Sequence, residues 1–229
     1  MTKSANTAEA AARPVVRVDP LVSALFVQRN GCYWDLPGVD PWDEERDARL
    51  YAGPHPVVAH PPCDRWGRYW GGGPMLHGTP RQKKLGDDGG CFASALEAVR
   101  QWGGVLEHPE ATHAFAHYGL GRPRWRIGWA PSDDGHGHIC CVAQGHYGHR
   151  ARKLTWLYAA GCELPDLDFS IPAPRARLDY GFHSRAERAE RHADVSPRVN
   201  ASRLRGGENL ATPIPFREVL IGMAKSVSR

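Results

Sequence analysis

Val57-Val58-Ala59-His60-Pro61-Pro62-Cys63 is an apolar, β-branched run that stops at a double proline and presents a thiol just beyond it. Val105-Leu106-Glu107-His108-Pro109 repeats the arrangement with a carboxyl in place of the thiol. Between them, Phe92, Ala95, Leu96, Val99 and Trp102 fall on one face of a helical period, and Gly103-Gly104 closes it. The 56–107 segment therefore reads as strand, helix, strand, a unit whose two strands run parallel. Cys63 and Glu107 then stand on neighbouring strand ends, at the sheet edge where open α/β folds bind ligands. The expected fold is α/β, with a Rossmann-like, mostly parallel sheet.

Working outward, Leu21 to Val27 reads as a first strand and Arg29-Asn30-Gly31 as the turn after it. Asp40-Pro41 has the form of a helix cap followed by a first-turn proline, predicting a short helix to about Leu50. Residues 64–91 are rich in Gly, Trp and Arg and are expected to form a mobile loop that closes over substrate, hinged at Gly71-Gly72-Gly73 and Gly89-Gly90. Ile139 to Val142 and Leu154 to Tyr158 read as strands flanking Gln144-Gly145-His146-Tyr147-Gly148, and Phe216 to Ala224 as a closing helix. The expected organisation is a disordered tail at 1–18, an α/β domain at 19–164 and 206–229, and a small, irregular, Arg-rich insertion at 165–205.

The composition supports a cytoplasmic reading with no membrane segment, since no apolar run approaches the ~20 residues of a span. Six cysteines without a disulfide-framework spacing fit reduced thiols. His60, Cys63, His108, His136, His138, Cys140 and Cys141 have ligand chemistry, but there is no Cys-x-x-Cys pair, so no metal is expected. The net charge of +4 is concentrated. Eight Arg against four acids lie between Arg175 and Arg205, and Arg122, Arg124, Arg126, Arg150, Arg152 and Lys153 form a second basic region. Such Arg-rich stretches suit phosphate contacts or a solvated face. Trp66 is open to two readings, a loop anchor or a stacking surface for a base.

Pro61-Pro62-Cys63, Glu107-His108-Pro109, the Gln144–Lys153 segment with Arg150-Ala151-Arg152, and Glu208-Asn209-Leu210-Ala211-Thr212-Pro213 before the last helix occur in one order. In that order they resemble the motifs of the DNA cytosine-5 methyltransferase family: a Pro-Cys loop, a Glu-Asn-Val strand end, a Gln-rich segment with Arg-x-Arg, and a Gly-Asn motif before the closing helix. The resemblance implies a Rossmann-like fold and methyl transfer from S-adenosylmethionine to C5 of a cytosine in DNA, through a covalent bond from Cys63 to C6. It assigns Glu107 to N3 of the base and Arg150 or Arg152 to O2 and the thiolate side. It places Pro61, Pro62, Trp66, His108 and Gln144 around the substrate, and Phe26, Asp40, Asp43 and Asn209 around the cofactor. Cationic neighbours are expected to lower the Cys63 pKa, and a target in duplex DNA would have to be flipped out.

Two other functions use the same residues. The thiol chemistry serves equally on a free pyrimidine nucleotide. A non-catalytic relative would keep the fold and bind nucleic acid.

Overall fold

The structure is a computed structural model and describes residues 21–72, 74–173, 176–177, 202–204 and 206–228. Seven strands form one mixed sheet: β1 (Val22–Leu25), β2 (Val39–Trp42), β3 (Val57–Ala59), β4 (Gly104–Pro109), β5 (Ala130–Pro131), β6 (His138–Ala143) and β7 (Leu154–Ala160). Their order across the sheet is β2-β1-β3-β4-β7-β6-β5. The pairings β2/β1, β1/β3 and β3/β4 are parallel, whereas β4/β7, β7/β6 and β6/β5 are antiparallel. The α/β class and the parallel unit around Cys63 and Glu107 therefore stand, but only half of the sheet is parallel. A two-residue pair, β8 (Ala176–Arg177) with β9 (Ser202–Arg203), lies apart from it. The expected tail at 1–18 and residues 178–201 of the expected insertion lie outside the described residues.

Both faces of the sheet are covered, which explains why its central strands are apolar throughout. Val57 and Ala59 of β3 face one core with Leu106, Tyr158 and Trp156. The helix α1 (Cys91–Trp102) covers that core with Phe92, Ala95, Leu96 and Val99. Val58 faces the opposite core with Val105, Leu157 and Val142. A third helix, α3 (Ile214–Lys225), which follows the short α2 (Ala114–His117), covers that side with Phe216 and Leu220. Gly104 starts β4 with φ +120, and a Cβ there would stand 2.0 Å from the Val57 carbonyl oxygen, so only glycine allows β4 to approach β3.

Two sequence expectations change here. Asp40-Pro41 does not open a helix; both residues lie in β2, where Pro41 pairs with Ala24. Proline is tolerated there because β2 is an edge strand. Asp43 caps the turn at 44–47, its carboxylate accepting the Arg46 N–H at 3.0 Å, and the 3-10 turn Ala48–Leu50 that follows is capped by Asp47, whose carboxylate accepts the Arg49 N–H. In the 64–91 segment, Trp66 is 1% exposed and packs against Phe92, His117 and Tyr118. Its indole N–H donates to Asp88 Oδ2 at 2.8 Å, and the same carboxylate accepts the N–H groups of Gly90 and Phe92 at the start of α1. One end of the segment is thereby fastened to the helix that follows it.

Candidate functional site

The parallel half of the sheet has strand order 2-1-3-4, which places its topological switch point between β1 and β3. The chain leaving β1 turns through residues 26–38 toward β2, while the chain leaving β3 continues through His60, Pro61, Pro62 and Cys63. The two meet where the Tyr33 hydroxyl and His60 Nε2 stand 2.8 Å apart. On the other side of the ring, His60 Nδ1 is 3.0 Å from Glu107 Oε2. The second carboxylate oxygen of Glu107 accepts from Gln144 Nε2 at 3.1 Å, and that nitrogen also donates to Thr155 Oγ1 at 2.9 Å. A single hydrogen-bonded chain thus runs Tyr33–His60–Glu107–Gln144–Thr155 and joins the loop after β1 to β3, β4, the 3-10 turn Gln144–Tyr147, and β7.

Polarity fixes the direction of these bonds. Glu107 is held down to about 2 although burial opposes this, because the His60 hydrogen bond and charge, then Lys153 and His108, favour the carboxylate. An ionised carboxylate only accepts, so His60 Nδ1 carries the hydrogen. The other ring nitrogen, Nε2, shares a hydrogen bond with the Tyr33 hydroxyl. The side chains of His60 and Glu107 retain 13% and 12% exposure, which leaves an edge of the network open to a ligand.

Cys63 is half-buried at the same edge, and its carbonyl accepts the N–H groups of Trp66 and Gly67. Burial pushes its thiol pKa up, and the Glu107 and Asp64 charges push it further, while Lys153 acts in the opposite sense. The expected depression by cationic neighbours is therefore not found. Arg150 pairs with Glu208 at 3.1 Å, and Arg152 donates to the Pro172 carbonyl at 2.9 Å. Lys153 is the cation whose charge reaches Cys63, Cys32 and Glu107. Its ammonium donates to the carbonyls of Leu210 and Ala211 at 3.2 and 2.7 Å, and burial lowers its pKa. The Glu208–Pro213 motif is thus tied to the site by a lysine that the motif comparison passed over.

The remaining assignments divide. Cys63, Glu107 and Gln144 come together, and Gln144 is fully buried behind Glu107 as its hydrogen-bond partner. Pro61 is buried and Pro62 exposed beside them. Trp66 lies in the core and so is not a surface for a base. His108 points away from Glu107, as alternation along a strand requires. Its ring is fully buried edge-on to Phe92, with burial lowering its pKa to about 4. Tyr33, Lys153 and the role of His60 escaped the sequence reading. Lys153 precedes β7 with φ 40, so strand parity does not reach it and no periodicity in the sequence points to it.

Of the residues assigned to S-adenosylmethionine, Asp40, Asp43 and Phe26 are engaged within the protein. Asp40 accepts from Trp42 Nε1 at 2.7 Å and Arg46 Nη1 at 2.6 Å. Asp43 is 6% exposed and serves as the turn cap. Phe26 packs half-buried against the core with φ 58. Asn209 ends the 3-10 turn Gly206–Asn209. Among the described residues no group of three or more His, Cys, Asp or Glu is placed to hold a metal ion, all six cysteines are free thiols, and no helix is long and apolar enough to cross a membrane.

No protein-family model, curated protein or solved structure matches this chain.

Proposed function

We propose that this protein is a cytosine-5 methyltransferase-like enzyme in which the pocket at the ends of β3 and β4 takes a cytosine of DNA and Cys63 adds to C6 of the base. The observation that supports this is the convergence of Cys63, Glu107 and Lys153 at the edge of the switch point, where the Glu107 charge acts on the thiol and the Lys153 charge acts on both. Cys63 releases its proton to water, the thiolate forms the S–C6 bond, the C5=C6 electrons move to C5, and C5 becomes nucleophilic. Glu107, an anion, accepts from the exocyclic amino hydrogens of the base, while N3, where negative charge develops, takes a proton from water and returns it as the thiolate leaves. Lys153 stabilises the thiolate. In the resembling family S-adenosylmethionine supplies a methyl group to C5. Asp40, Asp43 and Phe26 are engaged within the protein, so the derived chemistry ends at the activated carbon. There C5 takes a proton from water, loses the original hydrogen as a proton, and the thiolate leaves C6 with its electron pair. The exposed Arg122, Arg124 and Arg126 favour a polyanionic substrate.

Exchange of the C5 hydrogen for deuterium in a cytosine oligonucleotide, measured by mass spectrometry without added donor, tests this reading. Exchange that disappears in Cys63→Ser supports it. A parallel sample of dCMP separates a DNA substrate from a free nucleotide, and S-adenosylmethionine with a 5-fluorocytosine oligonucleotide tests methyl transfer through a trapped adduct. A second reading, a pocket that binds a base without attacking it, is favoured by the raised Cys63 pKa. It is the conclusion if the oligonucleotide binds but no exchange occurs.

A further inference from the structure

We propose that His60, locked by Tyr33, is a positioning residue that keeps Glu107 a fixed anion and so makes the pocket select a base bearing an amino group over one bearing a carbonyl at the same position. The selectivity rests on the cytosine reading above; the positioning does not.

The geometry carries the first half. Glu107 leaves β4 on the face of the sheet away from His108, and each of its oxygens has one protein donor, His60 Nδ1 at 3.0 Å and Gln144 Nε2 at 3.1 Å. Both donors are themselves held. Gln144 is pinned by Thr155 Oγ1 at 2.9 Å, and the imidazole by the Tyr33 hydroxyl at 2.8 Å with the rings 5.2 Å apart. The carboxylate can neither rotate nor exchange partners without breaking a bond at both ends. Tyr33 itself is 3% exposed, and the Cys32 carbonyl before it accepts from Arg217 Nη1 of α3 at 2.6 Å. The imidazole is therefore anchored to the body of the protein through the loop after β1.

The second half follows from lone pairs. A carboxylate has about four acceptor sites, and two of Glu107's are used, so what it still offers a ligand is acceptance alone. The contact that discriminates is at the 4-position, where the exocyclic amine of cytosine donates to such a group and the carbonyl of uracil or thymine meets acceptor with acceptor. The groups that set the charge of Glu107 are His60, Lys153 and His108, and burial works against them. Removing the His60 bond takes away the largest cause opposing burial, so the Glu107 pKa rises and its carboxylate keeps only the Gln144 donor to fix its orientation.

The direct test is the Glu107 side-chain carboxyl resonance in protein labelled with 13Cδ-glutamate. In the wild type it should remain at its ionised position down to about pH 3. In His60→Leu its midpoint should move upward. In His60→Gln, whose amide can donate to the same oxygen, it should return toward the wild type. Tyr33→Phe should broaden or shift the His60 ring nitrogens in long-range 1H–15N spectra while the core stays intact. A Glu107 midpoint that is unchanged in His60→Leu overturns the proposal, as does a shift in which His60→Gln equals His60→Leu.

Binding then addresses selectivity. Wild type should favour a cytosine over a uracil oligonucleotide by at least about tenfold, and His60→Leu should lose most of that preference. If the Glu107 midpoint shifts as expected but the wild type shows no cytosine preference, His60 still positions Glu107, and the cytosine reading fails with the selectivity that rests on it.

Discussion

Glu107→Gln removes a charge that burial opposes and that His60, Lys153 and His108 sustain. In the folded protein the carboxyl titrates at about 2 in place of an ordinary 4.5. The sign is that of a depressed acid: the stabilisation is complete above the unfolded value and is lost as pH falls toward the folded one. The displacement corresponds to about 3 kcal/mol of stability at neutral pH that belongs to the ionised state. The substitution preserves the shape, and the amide oxygen can still accept from His60, but the new amide hydrogens would face those of Gln144. Urea unfolding of wild type and Glu107→Gln, followed by tryptophan fluorescence, should show the wild type more stable by up to about 3 kcal/mol at pH 7. The difference should hold to about pH 5 and shrink steadily toward pH 2, over the window bounded by 4.5 and 2. A difference of the same size at pH 6 and pH 3 would refute the charge argument and reduce the effect to lost packing.

His108 gives a second, separate window. Its ring titrates at about 4 against 6.5 when unfolded, so the unfolded chain binds a proton first and stability falls between those values. His108→Leu should flatten the loss between pH 6.5 and 4 in the same melts, leaving the lower window in place but somewhat narrower, because His108 also favours the Glu107 carboxylate. Iodoacetamide labelling of Cys63, located by peptide mass, should keep accelerating beyond pH 9, because burial and Glu107 raise the thiol; Lys153→Met should move the curve to higher pH and Glu107→Gln to lower. A plateau near pH 8 in the wild type would contradict this. Asp88→Ala frees the Trp66 indole and the first N–H groups of α1 together, and should cost about 1–3 kcal/mol with faster proteolysis within 64–91. A segment equally protected in both proteins would show that Asp88 is not its anchor.

The sheet's parallel centre was legible because its strands are buried on both faces. Val57-Val58-Ala59 and Val105-Leu106 leave no polar face, and the apolar stripe of Phe92 to Trp102 has a helical period. Asp40-Pro41 misled because a proline without an N–H suits a helix start and an edge strand alike, and only the pairing with Ala24 decides between them. In the site, Cys63 and Glu107 could be read because both follow directly from strand ends. Tyr33 could not, since it reaches His60 from across 27 positions of chain through a loop without periodicity. Arg150 and Arg152 were favoured by their motif, but the strand that follows has a strict two-residue period. Arg152 and Lys153 lie before that strand, and Lys153 has φ 40, so its reach toward Cys63 and Glu107 depends on a backbone turn that neither the period nor the motif shows.

The same lysine bears on which group activates the thiol. Glu107 cannot serve as the base, because a carboxyl titrating at about 2 holds a proton from a thiol above 9 too weakly. It also repels the thiolate it would create. What favours the thiolate is Lys153, and the position of Lys153 depends on the Leu210 and Ala211 carbonyls. A positively charged base edge would neutralise part of Glu107's field once it is bound against the carboxylate, and the Cys63 thiol would then lose the second-largest cause of its high pKa. Ligand binding and thiol ionisation are coupled through Glu107. Under the proposed chemistry, a base that donates to Glu107 would promote the attack on its own ring, and without such a base burial and Glu107 keep the thiol pKa raised.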